Sequence, residues 1–138
     1  MKKDGKIILI EDDAEDREIF EEVYNTLGFP NELVMLSDST TVVEYLKHEE
    51  VNPFLIMSDI NMPKMSGYEL RDQVLNDPEL TEKCVPYIFF TTAQSPDSIK
   101  EAYRKSVQGF FFKISDYNKF SATLKLIIEY WKEAVTPY

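Results

Sequence analysis

The sequence predicts an α/β fold, a parallel β-sheet covered by helices on both faces, and two observations carry that prediction. First, five short apolar segments lack the alternation of a half-exposed strand, so each is expected to be buried on both faces. Second, segments whose apolar residues recur at helical spacing lie between the strands. Because strands and helices alternate, we expect parallel strands joined by right-handed crossovers.

The elements follow in chain order from these patterns. The predicted strands are residues 6–10, 32–36, 54–58, 85–91 and 109–113. Five helices are predicted, and two of them have both ends defined, residues 14–27 and 67–76. The second helix runs from a cap at Ser37-Asp38-Ser39 to about His48. The fourth begins at Ser95 and Pro96, and the fifth begins at Ser115 or Asp116. Gly28 and Pro78 supply stop signals for the first and third helices.

Composition excludes several classes of function. The 138 residues carry 25 Asp and Glu against 15 Lys and Arg, a net charge of −10, which argues against direct binding to nucleic acid. No apolar stretch approaches the roughly 20 residues of a membrane span, and Cys84 alone cannot form an internal disulfide. We therefore expect one cytoplasmic domain, residues 1–138 with a core of about 6–131, and no output domain.

Acidic residues follow two of the predicted strands. Asp12 and Asp13 follow the first strand, and Asp59 follows the central one. An aspartate at a strand end is often only a turn residue. If the two strands are neighbours, however, the three carboxylates share one pocket. Like charges at such short distances raise each other's pKa values unless a cation neutralises them. Oxygen ligands favour a hard cation, so these residues predict a Mg²⁺ site.

Two further strand ends carry groups that bind a phosphoryl group. The fourth strand ends at Thr91-Thr92-Ala93, and the fifth ends at Lys113. A hydroxyl and an ammonium beside Mg²⁺ can hold the oxygens of a phosphoryl group as it passes to a carboxylate. Each residue alone is unspecific, but four of five strand ends supply compatible groups.

These residues resemble a known motif set. Glu11-Asp12-Asp13, Asp59 in DINMPKMSG, Thr92-Ala93 and Lys113 are similar to the receiver domain of two-component response regulators over about residues 6–131. The resemblance implies a flavodoxin-like three-layer sandwich with strand order 2-1-3-4-5. It implies these roles: Asp59 as phosphoacceptor; Asp12, Asp13, Asp59 and the Asn61 main-chain carbonyl as Mg²⁺ ligands; Thr92, Ala93 and Lys113 as phosphoryl-binding residues.

The resemblance also implies how such a domain works. Thr92 and Phe110 would form a coupled switch, and the face formed by the fourth helix, fifth strand and fifth helix would bind a downstream protein or a second copy. The phosphoryl donor would be a histidine kinase or a His-containing phosphotransfer protein. Such a domain catalyses only its own phosphorylation and dephosphorylation, so we do not expect an enzyme with a separate substrate.

Departures from the family pattern leave some points open. Most receivers follow the lysine with a proline through a cis bond, but Ile114 follows Lys113 here, where a cis bond costs about 2.5–4 kcal/mol. Thr91 competes with Thr92 for the phosphate-binding role.

Two rival functions remain open. One is a receiver-like binding module that is not phosphorylated. The other, a phosphatase of the haloacid dehalogenase type, requires an acid two residues after the nucleophile, where this chain has Asn61. His48 and Cys84 are interpreted as a solvated helix-end residue and a structural residue.

Overall fold

A computed structural model describes residues 2–138 and contains one five-stranded parallel sheet in the order β2-β1-β3-β4-β5. The strands are β1 (Lys6–Ile10), β2 (Leu33–Leu36), β3 (Pro53–Ser58), β4 (Tyr87–Thr91) and β5 (Gly109–Phe112). The predicted fold class and strand order are confirmed, with strand boundaries shifted by at most two residues. Every residue of β3 is buried, as expected for the central strand of a sheet covered on both faces.

Within residues 2–138, six α-helices accompany the sheet instead of the five predicted. They are α1 (Ala14–Leu27), α2 (Val42–Leu46), α3 (Gly67–Leu75), α4 (Pro78–Lys83), α5 (Pro96–Arg104) and α6 (Tyr117–Glu133). The additional helix is α4. Pro78 ends the preceding helix as predicted, but it also occupies the first turn of a new one, where a missing N–H costs nothing. Asp77 caps that helix by accepting hydrogen bonds from the N–H groups of Glu79 (3.0 Å) and Leu80 (3.3 Å).

Local capping chemistry fixes most of the other helix boundaries. Gly28 ends α1 with a left-handed φ of 75°, which glycine adopts without steric cost. Asp38 caps a short 3₁₀ turn (Ser39–Thr41), so α2 begins later than predicted. Ser95 caps α5, and Asp116, not Ser115, caps α6. None of the described helices is long and apolar enough to cross a membrane.

Two apolar layers cover the sheet because successive strand residues point to opposite faces. On one face Ile7 and Leu9 pack with the buried sides of α1 and α6, including Phe20 and Phe120. On the other face Ile8 and Ile10 pack with the helices from α2 to α5. The carboxyl ends of all five strands therefore meet at one edge, between these two layers.

A buried arginine joins α3 to the end of α5. Arg71 is 1% exposed and donates hydrogen bonds from Nε to the Lys105 carbonyl (3.0 Å) and from Nη2 to the Ser106 carbonyl (2.9 Å). Its guanidinium lies 4.6 Å from the centre of the Tyr87 ring. Carbonyl groups at a helix C-terminus carry partial negative charge, so they provide the counter-charge for the buried guanidinium.

Candidate functional site

Asp59 lies at the carboxyl end of β3 and is 6% exposed. Its Oδ1 accepts hydrogen bonds from the Ile60 N–H (2.7 Å) and from the Thr91 hydroxyl (2.5 Å), while its Oδ2 lies 3.3 Å from the Lys113 Nζ. One oxygen is thus held by two donors, and the other has a single, longer contact. This arrangement fixes the carboxylate and leaves Oδ2 the more available nucleophile.

The acidic cluster beside Asp59 consists of Glu11 and Asp12. One carboxylate oxygen from each of Glu11, Asp12 and Asp59 lies within 4.8 Å of the others. Glu11 is 2% exposed and Asp12 is half-buried. Three carboxylates at this spacing form an oxygen donor set that fits a hard divalent cation.

Asp13 lies at the N-terminus of α1, and its predicted role as a Mg²⁺ ligand stays a prediction. Its Oδ1 accepts hydrogen bonds from the N–H groups of Glu15 (2.9 Å) and Asp16 (3.2 Å), so Asp13 caps α1 and is not a member of the cluster. Because three acidic residues are consecutive, the sequence does not show directly which of them caps the helix. The capping rule could have shown it, because an aspartate directly before the first helical residue is a preferred N-cap.

Lys113 lies just beyond β5 and connects the carboxylates. Its Nζ is 2.5 Å from Glu11 Oε1, 2.8 Å from Asp16 Oδ2 and 3.3 Å from Asp59 Oδ2. Burial alone would lower the pKa of Lys113, but hydrogen bonds with Asp16 and Glu11 and the charge of Asp59 outweigh burial and raise it. The lysine therefore stays charged at any physiological pH.

Burial raises the pKa of Glu11 from 4.5 to about 7, although its hydrogen bond with Lys113 acts in the opposite direction. The charge of Asp59 adds to the increase. The Glu11 carboxyl is therefore partly protonated near neutral pH, and a cation bound beside it would favour the charged form.

Thr91, not Thr92, contacts the central carboxylate. Thr91 is fully buried at the end of β4 and donates its hydroxyl to Asp59. Its carbonyl accepts a 2.7 Å hydrogen bond from the Lys113 N–H, so one residue contacts both groups. Thr92 is exposed and lies, with Lys113, at a cavity of about 430 Å³ beside the site. The phosphoryl-binding role predicted for Thr92 stays a prediction, and Thr91 stays its competitor, because a strand covered on both faces gives no periodicity that distinguishes the two neighbours.

Gly67 allows α3 to begin directly against the site. A Cβ at this position would lie 2.2 Å from the Asp59 carbonyl oxygen and 2.8 Å from the Ile60 Cα. The Gly67 N–H donates to the Ile60 carbonyl at 2.7 Å and closes the loop. The glycine is thus required by close backbone approach, and it holds the main chain on which Asp59 sits.

Two residues of the site were missed by sequence reasoning, and both lie on α1. Arg17 Nη1 donates to the main-chain carbonyls of Glu11 (2.9 Å) and Asp12 (2.8 Å), which holds the acidic loop in place. Asp16 pairs with Lys113, as described above. In the sequence, Asp16 and Arg17 look like ordinary polar residues on the exposed side of an amphipathic helix. Only the three-dimensional structure shows that they contact residues of the site.

The remaining predicted residues have simpler surroundings. Asn61 and Ala93 lie in exposed loops at the same edge of the sheet, and their proposed ligand roles stay predictions. Phe110 is half-buried on β5, with ring centres 6.2 Å from Phe89 and 5.8 Å from Phe112. Within residues 2–138 the only cis peptide bond is Val85–Pro86, so the bond from Lys113 to the next residue is trans.

The surroundings of Cys84 and His48 fit their interpretation as a structural residue and a solvated residue. Cys84 is 1% exposed, and burial raises the pKa of its thiol to about 12, so it is not a reactive thiolate. His48 is exposed beyond the end of α2, with Nδ1 3.8 Å from a Glu50 carboxylate oxygen.

The strand order and the groups at the carboxyl edge place the domain in the flavodoxin-like class of α/β proteins. The chain belongs to the response regulator receiver domain family, whose model matches residues 7–125. The resemblance seen in the sequence is therefore confirmed, and the chain is a receiver domain of two-component signalling. Receiver domains of response regulators take phosphoryl groups from histidine kinases.

Individual relatives extend this similarity over nearly the whole chain. The response regulator Rcp1 of Synechocystis sp. is 27% identical over 135 residues, 94% of this chain and 90% of that protein. The phosphorylated cyanobacterial phytochrome response regulator RcpA superposes with a TM-score of 0.85 at 27% identity, covering 97% of this chain and 99% of that one. A Mn²⁺-bound form of Rcp1 gives a TM-score of 0.78 at 28% identity, covering 95% and 97%.

Proposed function

We propose that this receiver domain accepts a phosphoryl group on Asp59, in a Mg²⁺-dependent reaction, from a histidine kinase or a His-containing phosphotransfer protein. The observation that carries the proposal is the asymmetry of the Asp59 carboxylate. Oδ1 is held by the Thr91 hydroxyl and the Ile60 N–H, and Oδ2 lies 3.3 Å from a lysine ammonium. A carboxylate fixed in this way is prepared for in-line attack on phosphorus.

The residues present account for each part of the reaction. Asp59 Oδ2 would form the new O–P bond while the donor's bond to phosphorus breaks and its imidazole leaves with the electron pair. Lys113 and the Thr91 hydroxyl, which both contact Asp59, would donate to the charge that develops on the phosphoryl oxygens, with the exposed Thr92 as the alternative hydroxyl. No catalytic turnover of a separate substrate is implied, so we do not propose an enzyme.

Glu11, Asp12 and Asp59 are the residues that would hold the cation, with the Asn61 carbonyl as a further candidate. Their oxygens lie within 4.8 Å of one another, which fits Mg²⁺. When bound, Mg²⁺ would neutralise phosphoryl oxygens and the carboxylates around them. The Mn²⁺-bound form of the relative Rcp1 supports a divalent cation in a domain of this family.

The signal would be read at the face formed by α5, β5 and α6, the fourth helix, fifth strand and fifth helix of the sequence prediction. Thr91 sits at the end of β4, and Phe89 on the same strand contacts Phe110 on β5. If the hydroxyl turns from Asp59 to a phosphoryl oxygen, the change reaches Phe110 through these contacts. The exposed apolar residues Tyr103, Phe112, Leu126 and Tyr130 make this face suitable for a downstream protein or a second copy.

The phosphoryl transfer is tested by incubation with Mg²⁺ and acetyl phosphate followed by intact-mass measurement. We expect the mass of one phosphoryl group to appear on the wild-type protein and to be absent from Asp59→Asn, because an amide is not a nucleophile. Asp38→Asn, at a half-buried capping aspartate of the same edge that does not contact Asp59, is the matched control and should still be phosphorylated. Absence of the added mass from the wild type would favour the module that is not phosphorylated, and steady turnover of phosphate monoesters would favour the phosphatase.

Magnesium should stabilise the folded domain, since the cation binds the folded state and not the unfolded chain. At ten times its dissociation constant we expect about 1.4 kcal/mol, measured as a rise in melting temperature. Asp12→Ala should remove most of this increase. Asp13→Ala should keep it while lowering stability by about 1 kcal/mol through loss of the helix cap. If Asp13→Ala abolished the Mg²⁺ response and Asp12→Ala did not, the cluster described above would be the wrong one.

A further inference from the structure

Asp16 makes a contact with Lys113 that the motif residues of the domain do not account for. Its Oδ2 lies 2.8 Å from the Lys113 Nζ, closer than the 3.3 Å between Nζ and Asp59. The carboxylate is in the first turn of α1, where the Asp13 cap holds the Asp16 N–H at 3.2 Å. The cap therefore fixes the turn that presents Asp16 to the lysine.

The three carboxylates around Lys113 are not equivalent. Glu11 and Asp59 belong to the cluster that can hold a divalent cation, whereas Asp16 does not. A cation in that cluster would take up negative charge from Glu11 and Asp59 and would also repel the ammonium. Asp16 is then the one of the three whose attraction for Lys113 is not shared with the cation.

The ammonium has three N–H donors and, in this structure, three carboxylate partners. A phosphoryl group on Asp59 would need one of these donors. The Asp59 contact is the longest of the three, so its donor is the one most easily redirected, provided that the lysine stays in place.

We propose that Asp16 is a positioning residue for phosphoryl transfer, which anchors Lys113 beside Asp59 when the cation and the phosphoryl group bind. This inference rests on the proposed function. Among the described residues the Asp16 carboxylate pairs with Lys113 and is not one of the three clustered carboxylates, so it acts through Lys113.

The first test is the initial rate of phosphoryl uptake from acetyl phosphate with saturating Mg²⁺, followed by intact mass. Asp16→Asn should slow uptake roughly two- to fivefold, the size expected for a partly exposed ion pair. Asp16→Glu keeps a carboxylate within reach and should recover most of the rate. Glu15→Gln removes the same charge from the same helical turn at an exposed position and should leave the rate unchanged.

A double-mutant comparison separates positioning from a general effect of charge. In a Lys113→Met background Asp16→Asn should cause no further loss, because the residue through which Asp16 acts is absent. A wild-type rate for Asp16→Asn, an equal loss in Glu15→Gln, or a further loss in the Lys113→Met background would each overturn the proposal.

The second test needs no phosphoryl transfer and works for variants that react too slowly. In protein labelled with ¹⁵N-lysine, a hydrogen-bonded ammonium exchanges slowly enough to give a resonance, and a free one does not. The Lys113 signal should persist in the wild type on addition of Mg²⁺ and disappear in Asp16→Asn. Its persistence in both would overturn the anchoring role. If the wild type took up no phosphoryl group, the proposed function would be wrong, and this second measurement would still decide the role of Asp16.

Discussion

Lys113→Met is expected to destabilise the fold by about 3 kcal/mol at pH 8 in metal-free buffer. Glu11 and Asp59 are 2% and 6% exposed, and Lys113 is the cation between them. Removing it leaves buried charges without a partner, which costs more than the net gain from the ion pair itself. Urea denaturation should show a lower midpoint with an unchanged slope.

The stability loss in Lys113→Met should depend on pH and on Mg²⁺. Below about pH 6 the loss should shrink, because burial raises the pKa of Glu11 to about 7 even with Lys113 present, so Glu11 is then protonated in both proteins. Mg²⁺ should restore part of the stability by supplying the missing positive charge. Lys119→Met, at an exposed position in the first turn of α6, should change stability by less than about 0.5 kcal/mol. An equal loss in both variants, or none in Lys113→Met, would contradict the arrangement of charges described here.

Arg71→Ala is expected to cost about 3 kcal/mol, from the loss of two hydrogen bonds made by a charged group and of buried volume. The side chain is 1% exposed, and its two acceptors are main-chain carbonyls directly after α5. The Ser106 carbonyl also accepts a 2.7 Å hydrogen bond from the Gln108 side-chain amide, so the Lys105 carbonyl is the one that loses its side-chain donor altogether.

The adjacent residue provides the control for Arg71. Asp72 pairs with Lys105 at 2.9 Å but is about half exposed, so Asp72→Ala should cost less than about 1 kcal/mol. Hydrogen exchange should also distinguish the two variants, with faster exchange in α5 for Arg71→Ala only. Similar losses in the two variants would mean that the buried guanidinium is not what holds the end of α5.

The fold could be predicted because its signals are local. Apolar runs with strand lengths, Gly28 as a helix stop and Ser95-Pro96 as a helix start each depend on a few neighbouring residues. The additional helix α4 was missed because Pro78 was interpreted only as a terminator. The same local rules contain the answer, since Asp77 followed by Pro78 is a helix start.

The candidate site was predictable in composition but not in detail. Asp59 and Lys113 follow from their positions at strand ends, and the structure brings them together. Which two of three consecutive acids face Asp59, and which of two threonines donates to it, depend on side-chain directions at irregular positions after a strand. Arg71 and Asp16 were out of reach for another reason. Their partners, Lys105 and Lys113, are distant in sequence, and no local pattern encodes such pairs.

The contact of Gly67 with the main chain of Asp59 limits how this chain can change by mutation. Any side chain at position 67 must displace the backbone that carries the Asp59 carboxylate. A substitution of Gly67 therefore affects the fold and the geometry of the site together. The side chains of Asn61 and Pro63 are exposed, and Lys64 is exposed but adopts a left-handed φ of 67°, which favours glycine or asparagine there. Natural variation is therefore expected to be lower at position 67 than at positions 61 and 63.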